Sequence, residues 1–231
     1  MRAITRFAFY IPLMFVACLA PLSAEETEAK KPEQQPAAAA KKNPPKLPHK
    51  LFDGKSLKGW KVLDKTLFAE HGEVKVVDGE IHMADGQPAT GLLCTTPIPK
   101  SNYEIRLEAK RTGGNDFFCG LTFPIQEGFA TLIIGGWGGG VTGVSNVDGY
   151  AAVENPTTGY TEFENDKWYK IKLRVTDKKL LAWIDDEVIV ELTTDDRKFE
   201  VWWEQEMTRP LGITTWYTSN ALRNIEIHPV D

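Results

Sequence analysis

The chain has 231 residues, with 27 Lys and Arg set against 32 Asp and Glu. A net charge of −5 excludes a basic nucleic-acid footprint, which needs clustered cations to offset phosphate repulsion. The length accommodates one or two domains and no more.

The chain opens with two arginines before Phe7, then the apolar run FAFYIPLMFVACLA, then PLSA ending in small residues ahead of Glu25. That order reads as a secretory signal over residues 1–24, cut after Ala24. The expected location is therefore exported, periplasmic or extracellular. FVAC offers an alternative use of the same segment, in which Cys18 takes a lipid and anchors the protein. No later segment approaches the ~20 apolar residues of a membrane helix, so an integral membrane protein is not expected. Loss of the leader takes Lys and Arg from 27 to 25 against an unchanged 32 acids, a net charge of −7. It also leaves Cys94 and Cys119 in a compartment where a disulfide between them would persist.

Residues 25–50, EETEAKKPEQQPAAAAKKNPPKLPHK, hold no aromatic side chain and scattered prolines. Such a stretch cannot bury enough surface to offset its ordering entropy and is expected to be a disordered or polyproline-like tether. The folded domain is expected over 51–231. Its periodicity is two. In NYEIRLEAKR, Tyr103, Ile105 and Leu107 share one face and Glu104, Arg106 and Glu108 the other, and WYKIKLRVT repeats the alternation. VKVVDGEIHM and LLAWIDDEVIVEL place Asp78-Gly79 and Asp185-Asp186 between β-rich runs, as hairpins do. ATGLLCTT, FFCGLTF, FATLIIGG, FEVWWEQE, GITTWYT and LRNIEIH supply further expected strands. Many short strands and no long amphipathic helix predict an all-β fold, an antiparallel β-sandwich.

Four segments carry a family resemblance: LFDGKSLKGW at the start of the domain, KWYKIKLRV, AWIDDEVIV, and LRNIEIH at its end. Together they resemble the 3-keto-disaccharide hydrolase domain family. The resemblance implies a concanavalin A-like jelly roll of the lectin and glucanase kind, and cleavage of 3-keto-glycosides by elimination and hydration. A ketone at C3 acidifies the C2 proton, and the glycosidic oxygen on C1 is β to the resulting carbanion. A base, an enolate stabiliser and an acid for the leaving group then suffice, and the stabiliser is a role a divalent cation can fill. At the family's polar site positions the chain departs from the pattern. Phe118 and Cys119, Ala130 and Leu132, Gly135, and Trp216 stand where polar or acidic residues are expected.

Replacement groups are sought elsewhere. Read as a strand, EVWWEQE puts Trp202, Glu204 and Glu206 on one face with alternate residues about 7 Å apart. That spacing lies within the roughly 5–9.5 Å of paired glycosidase carboxylates, which makes Glu204 and Glu206 the catalytic candidates. The alternative is a solvated outer face with Val201 and Trp203 in the core. GGWGGGVTG flanks Trp137 with five glycines, as a sugar-stacking contact or as a bend whose indole fills the core; no phosphate-loop Lys follows. Trp216 is a second stacking candidate. Asp148, Glu154 and Asn155 lie in the irregular NVDGYAAVENPTTGY, where loop polar groups bind a ligand or cation or simply face water. His49, His71, His82 and His228 show no ligand spacing, and neither a D-x-D-x-D-G loop nor a G-x-S-x-G elbow occurs. The leading expectation is an exported enzyme on 3-keto-glycosides. The alternative, from another class, is a non-catalytic glycan-binding or protein-interaction module. Carboxylates on the concave sheet favour the first, and a face of aromatics and small residues favours the second.

Overall fold

The computed structural model describes residues 49–230. The expected leader and most of the expected tether lie outside the described residues. Among the described residues, His49 and Lys50, the last two positions assigned to the tether, are paired with β14. The His49 carbonyl accepts the Ile227 N–H, and Lys50 bridges Glu226.

Fourteen strands follow: β1 (Trp60–Val62), β2 (Val74–Val77), β3 (Glu80–Met83), β4 (Ala89–Cys94), β5 (Tyr103–Gly114), β6 (Cys119–Ile125), β7 (Gly128–Gly136), β8 (Val141–Ser145), β9 (Gly159–Tyr160), β10 (Tyr169–Val175), β11 (Lys179–Ile184), β12 (Glu187–Thr193), β13 (Gly212–Trp216) and β14 (Thr218–Pro229). They form two seven-stranded antiparallel sheets, β1-β4-β13-β6-β7-β8-β9 and β12-β11-β10-β5-β14-β3-β2. The sequence alternation explains the packing. β5 and β10 pair with Ile105 opposite Leu173 and Leu107 opposite Ile171, all four buried in the core between the sheets. The same register sets Glu104 against Arg174 and Glu108 against Lys170 on the outer face. Asp78 and Gly79 both take positive φ, 51° and 83°, as a two-residue type I′ turn requires. Asp185, φ 53°, turns the second expected hairpin.

Two expectations are corrected. FEVWWEQE is not a strand: after an isolated bridge at Phe199, Trp203–Thr208 form a 3₁₀ turn with Trp202 as its N-cap. Trp203 is 66% exposed and so is not a core residue. Secondly, Cys94 and Cys119 are both free and buried. β13 separates their strands. Thr215 pairs with Thr90 and stands level with Cys119, whereas Cys94 lies four residues further along β4. Two strand spacings across and four residues along put the pair about 16 Å apart, far beyond the ~7 Å limit for a bridge.

Candidate functional site

On the face of the first sheet turned away from the core lies a cavity of about 350 Å³. Its size falls within the roughly 300–1,000 Å³ of small-molecule sites. The floor comes from the strands. Ala130, Leu132 and Ile134 of β7 point into the core, so the intervening Thr131 and Ile133 face the cavity, beside Ser145 of β8 and Trp216 of β13. This corrects the comparison with the family at β7. Ala130 and Leu132 occupy core positions, and the positions on the cavity face are one residue along, since a shift of one residue reverses a strand's faces.

The roof comes from the segment 202–208, which is fastened to the sheet by hydroxyls. Thr208 Oγ1 lies 2.6 Å from the Gln205 carbonyl and 2.7 Å from Thr122 Oγ1, which lies 2.9 Å from Thr131 Oγ1. A carbonyl only accepts, so the direction is fixed. Thr208 donates to Gln205 O, Thr122 donates to Thr208, and Thr131 donates to Thr122. Thr214 Oγ1 donates to Gln205 Oε1 at 3.0 Å, and the Trp202 indole N–H donates to Ser145 Oγ at 3.1 Å. The three bonds between strap and sheet reach β6, β13 and β8.

The rim is the glycine-rich turn between β7 and β8. Trp137 (φ 48°) and Gly139 (φ 108°) take left-handed backbone, and a side chain at Gly140 would meet the Tyr160 ring at 2.2 Å. Those constraints explain the glycines. Trp137 itself is 48% exposed and lines the cavity, which excludes the core-filling alternative. Arg111, buried beneath the turn, donates to Asn165 Oδ1 (2.7 Å) and to the carbonyls of Phe163 (2.7 Å) and Gly139 (3.3 Å). Trp216 stacks on Phe117 with centroids 6.2 Å apart and planes at 27°.

Five aromatic rings thus surround the cavity: Phe117, Trp137, Trp202, Trp203 and Trp216. Its charged lining is Asp116 and Glu204, with no Lys, Arg or His. Burial pushes the Asp116 carboxyl above the ordinary carboxylate value; hydrogen bonds from the backbone N–H groups of Phe117, Gly138 and Trp137 oppose this incompletely. Oε2 of Glu204 is buried without a hydrogen-bond partner. Glu206 is not its companion. Residues two apart in a 3₁₀ turn lie ~240° around the axis, and Glu206 faces out to pair with Arg209.

Asp148, Glu154 and Asn155 lie outside the cavity lining. Asp148 accepts from the Lys198 N–H (2.8 Å) and Arg197 Nη1 (2.6 Å), contacts that hold its pKa below the usual range. Asn155 is buried, with Nδ2 donating to the carbonyls of Val144, Tyr150 and Ala151 and Oδ1 accepting from Thr157. Exposed Glu154 lies 3.5 Å from the Ala151 N–H. Asp148 and Asn155 fasten loops, and Glu154 sits on its own turn. A divalent cation does not fit this donor set: among the described residues no three His, Cys, Asp or Glu side chains come together as metal ligands. Nor is any described helix long and apolar enough to cross a membrane. Sequence reasoning missed Asp116, Gln205 and the hydroxyl chain. Thr122, Thr131 and Thr214 at outward positions of otherwise apolar strands were the available signal that this face is covered.

Residues 48–228 match the 3-keto-alpha-glucoside-1,2-lyase-like domain. The chain belongs to this family. No curated protein matches the sequence. Among solved structures the fold is shared with a Bacillus subtilis protein of unknown function described as galectin-like, at 12% identity and TM-score 0.51 over 75% of this chain and 90% of that one. The Crh5 transglycosylase, solved with NAG, aligns at 12% identity and TM-score 0.51, covering 77% and 82%. A provisionally assigned glycosyl hydrolase from Parabacteroides distasonis aligns at 13% and 0.50, covering 78% and 93%. At such identities the likeness is one of fold: a lectin-like jelly roll in a carbohydrate-related family.

Proposed function

We propose that this domain is a carbohydrate-recognition module that seats a sugar in the aromatic cavity, and that it acts outside the cytoplasm. The observation carrying the first part is the five-ring lining. Indole faces stack on the apolar faces of pyranose rings, while Gln205, Ser145 and Thr131 provide the few polar groups that orient a ligand. Family membership and the glycan-related descriptions of the fold neighbours support the same reading. Export is supported by the leader-like residues 1–24.

Asp116 favours a second reading, retained 3-keto-glycoside cleavage. Two carboxylates share the cavity, one with a raised pKa, the arrangement that divides acid and base roles. Glu204 would take the C2 proton, the C–H electron pair would form the enolate and expel the C1 oxygen, and Asp116 would protonate that oxygen. No cationic side chain lines the cavity to hold the enolate, which ranks recognition first.

The test is binding of the full chain to a panel of soluble glycans, beside incubation with a 3-keto-glucoside. Recognition predicts binding that drops at least about tenfold in Trp137→Ala or Trp203→Ala, and no turnover. Turnover lost in Glu204→Gln would establish the enzyme instead. Binding unaffected by either tryptophan change would refute the site.

A further inference from the structure

We propose that the cavity selects a glycan bearing a protonated amino group, so that its preferred ligand is an amino sugar rather than a neutral hexose; this rests on reading the cavity as a glycan site. The first observation is the unpartnered Oε2 of Glu204. Two shielded carboxylates of the opposite sheet are answered by cations: Glu104 by Arg106 (2.5 Å) and Arg174 (2.6 Å), Glu108 by Arg223 (2.7 Å). A buried carboxylate oxygen without a donor is costly, and Glu204 is itself part of the cavity lining.

The second observation concerns the indoles. On the opposite sheet Trp168 carries Lys110 and Arg223 over its ring, at 4.6 and 4.1 Å, and Trp183 carries Lys172 and Arg174, at 4.1 and 5.5 Å. Among the described residues none of the cavity's four indoles carries a cation. The lining therefore holds two carboxylates and four π-faces and no positive charge to meet them.

An ammonium group answers all of these at once. It offers three donors and a full charge, forming a charge-assisted bond to Glu204 while lying against an indole face. A sugar hydroxyl supplies one neutral donor and no cation–π attraction. An N-acetyl group has lost the charge altogether. The sugar ring stacked on Trp137 or Trp203 would distinguish an amino sugar from a free amine.

The experiment is protein-observed NMR titration of the full chain with methyl glycosides of glucosamine, N-acetylglucosamine and glucose, both anomers of each. These probes make no assumption about linkage. The glucosamine glycosides should bind about tenfold or more tighter than the other two. The preference should vanish in Glu204→Gln, which keeps shape and loses charge, and persist in Glu206→Gln, whose carboxylate lies outside the cavity. Equal binding of glucose and glucosamine would overturn the inference while leaving glycan recognition intact, as would preference for the N-acetyl sugar. A preference surviving Glu204→Gln, or falling equally in Glu206→Gln, would assign it to overall negative charge and overturn the inference too. Binding of no glycoside would overturn the glycan reading itself, and the inference with it.

Discussion

Thr208→Val probes the strap most directly, because it removes one hydroxyl and leaves the volume almost unchanged. Thr208 is fully buried and is both donor to the Gln205 carbonyl and acceptor from Thr122. In the variant Thr122 can turn its hydroxyl back to Thr131, while the Gln205 carbonyl keeps the Thr208 N–H of the 3₁₀ turn and loses the hydroxyl. One lost buried hydrogen bond costs about 0.5–1.5 kcal/mol. Taking about 1 kcal/mol, and about 2–4 °C per kcal/mol for a domain of this size, the midpoint should fall by about 2–4 °C. Thr122→Val should cost less, since Thr208 keeps its bond to Gln205 and Thr131 can turn to the cavity it lines. Thermal unfolding followed by circular dichroism measures both. Tryptophan emission should shift to the red in Thr208→Val, because Trp202 and Trp203 ride on the loosened strap. A midpoint within about 1 °C of the parent, or a larger loss in Thr122→Val, would refute the direction assigned to the hydroxyl chain.

Other expectations test the scaffold. Glu104→Gln should destabilise by about 2 kcal/mol, the cost of breaking a buried pair discounted because Arg106 and Arg174 are partly exposed. Burial pushes the Glu104 carboxyl up, but its two arginines outweigh that and hold its pKa low. Its contribution is thus present above the unfolded carboxylate pKa and lost as pH falls through the folded one. The parent's midpoint should drop on acidification below about pH 4, more steeply than the variant's. Arg111→Met should cost about 2–4 kcal/mol and raise acrylamide quenching of Trp137, since three acceptors lose a buried guanidinium. Burial raises both thiols, Cys119 to about 12, so neither should react with Ellman's reagent before unfolding and both should react after it. An oxidised pair in intact-mass analysis would contradict the register.

Periodicity carried most of the fold. Alternation in β5 and β10 was strong because each strand has one face in the core and one in water, and Asp78-Gly79 announced its turn through the positive φ it requires. The strap was misread for the same reason. Trp202, Glu204 and Glu206 alternate with Val201, Trp203 and Gln205, a pattern suited to a strand. The positions on either side of β13, the next strand in the chain, are already taken by β4 and β6. The alternating polarity instead serves a turn with Gln205 and Thr208 against the sheet and Trp203 in solvent. Glu204 was legible as a candidate; its companion Asp116 was not, because a lone Asp in GGND has no motif and gains meaning only when the turn bearing Trp137 closes over it.

The motifs that resemble the family are structural in this protein. In LFDGKSLKGW, Asp53 accepts from the N–H groups of Lys55 and Ser56, both at 2.8 Å, and the Trp60 indole donates to the Leu51 carbonyl at 2.8 Å, closing the entry loop. In LRNIEIH, Arg223 and Asn224 both bond Glu108 across β14 and β5. Such motifs hold the scaffold together whatever happens on the outer face of the first sheet, so they report membership and leave the chemistry free to change. Here the change is a matter of which element supplies the polar groups. The sheet contributes hydroxyls that fasten the strap and keep only part of their bonding capacity for a ligand, and the strap contributes Glu204, whose buried oxygen has no protein donor. A carboxylate presented that way gains most from a ligand that brings its own donor, and the indoles beside it set what kind of donor that is.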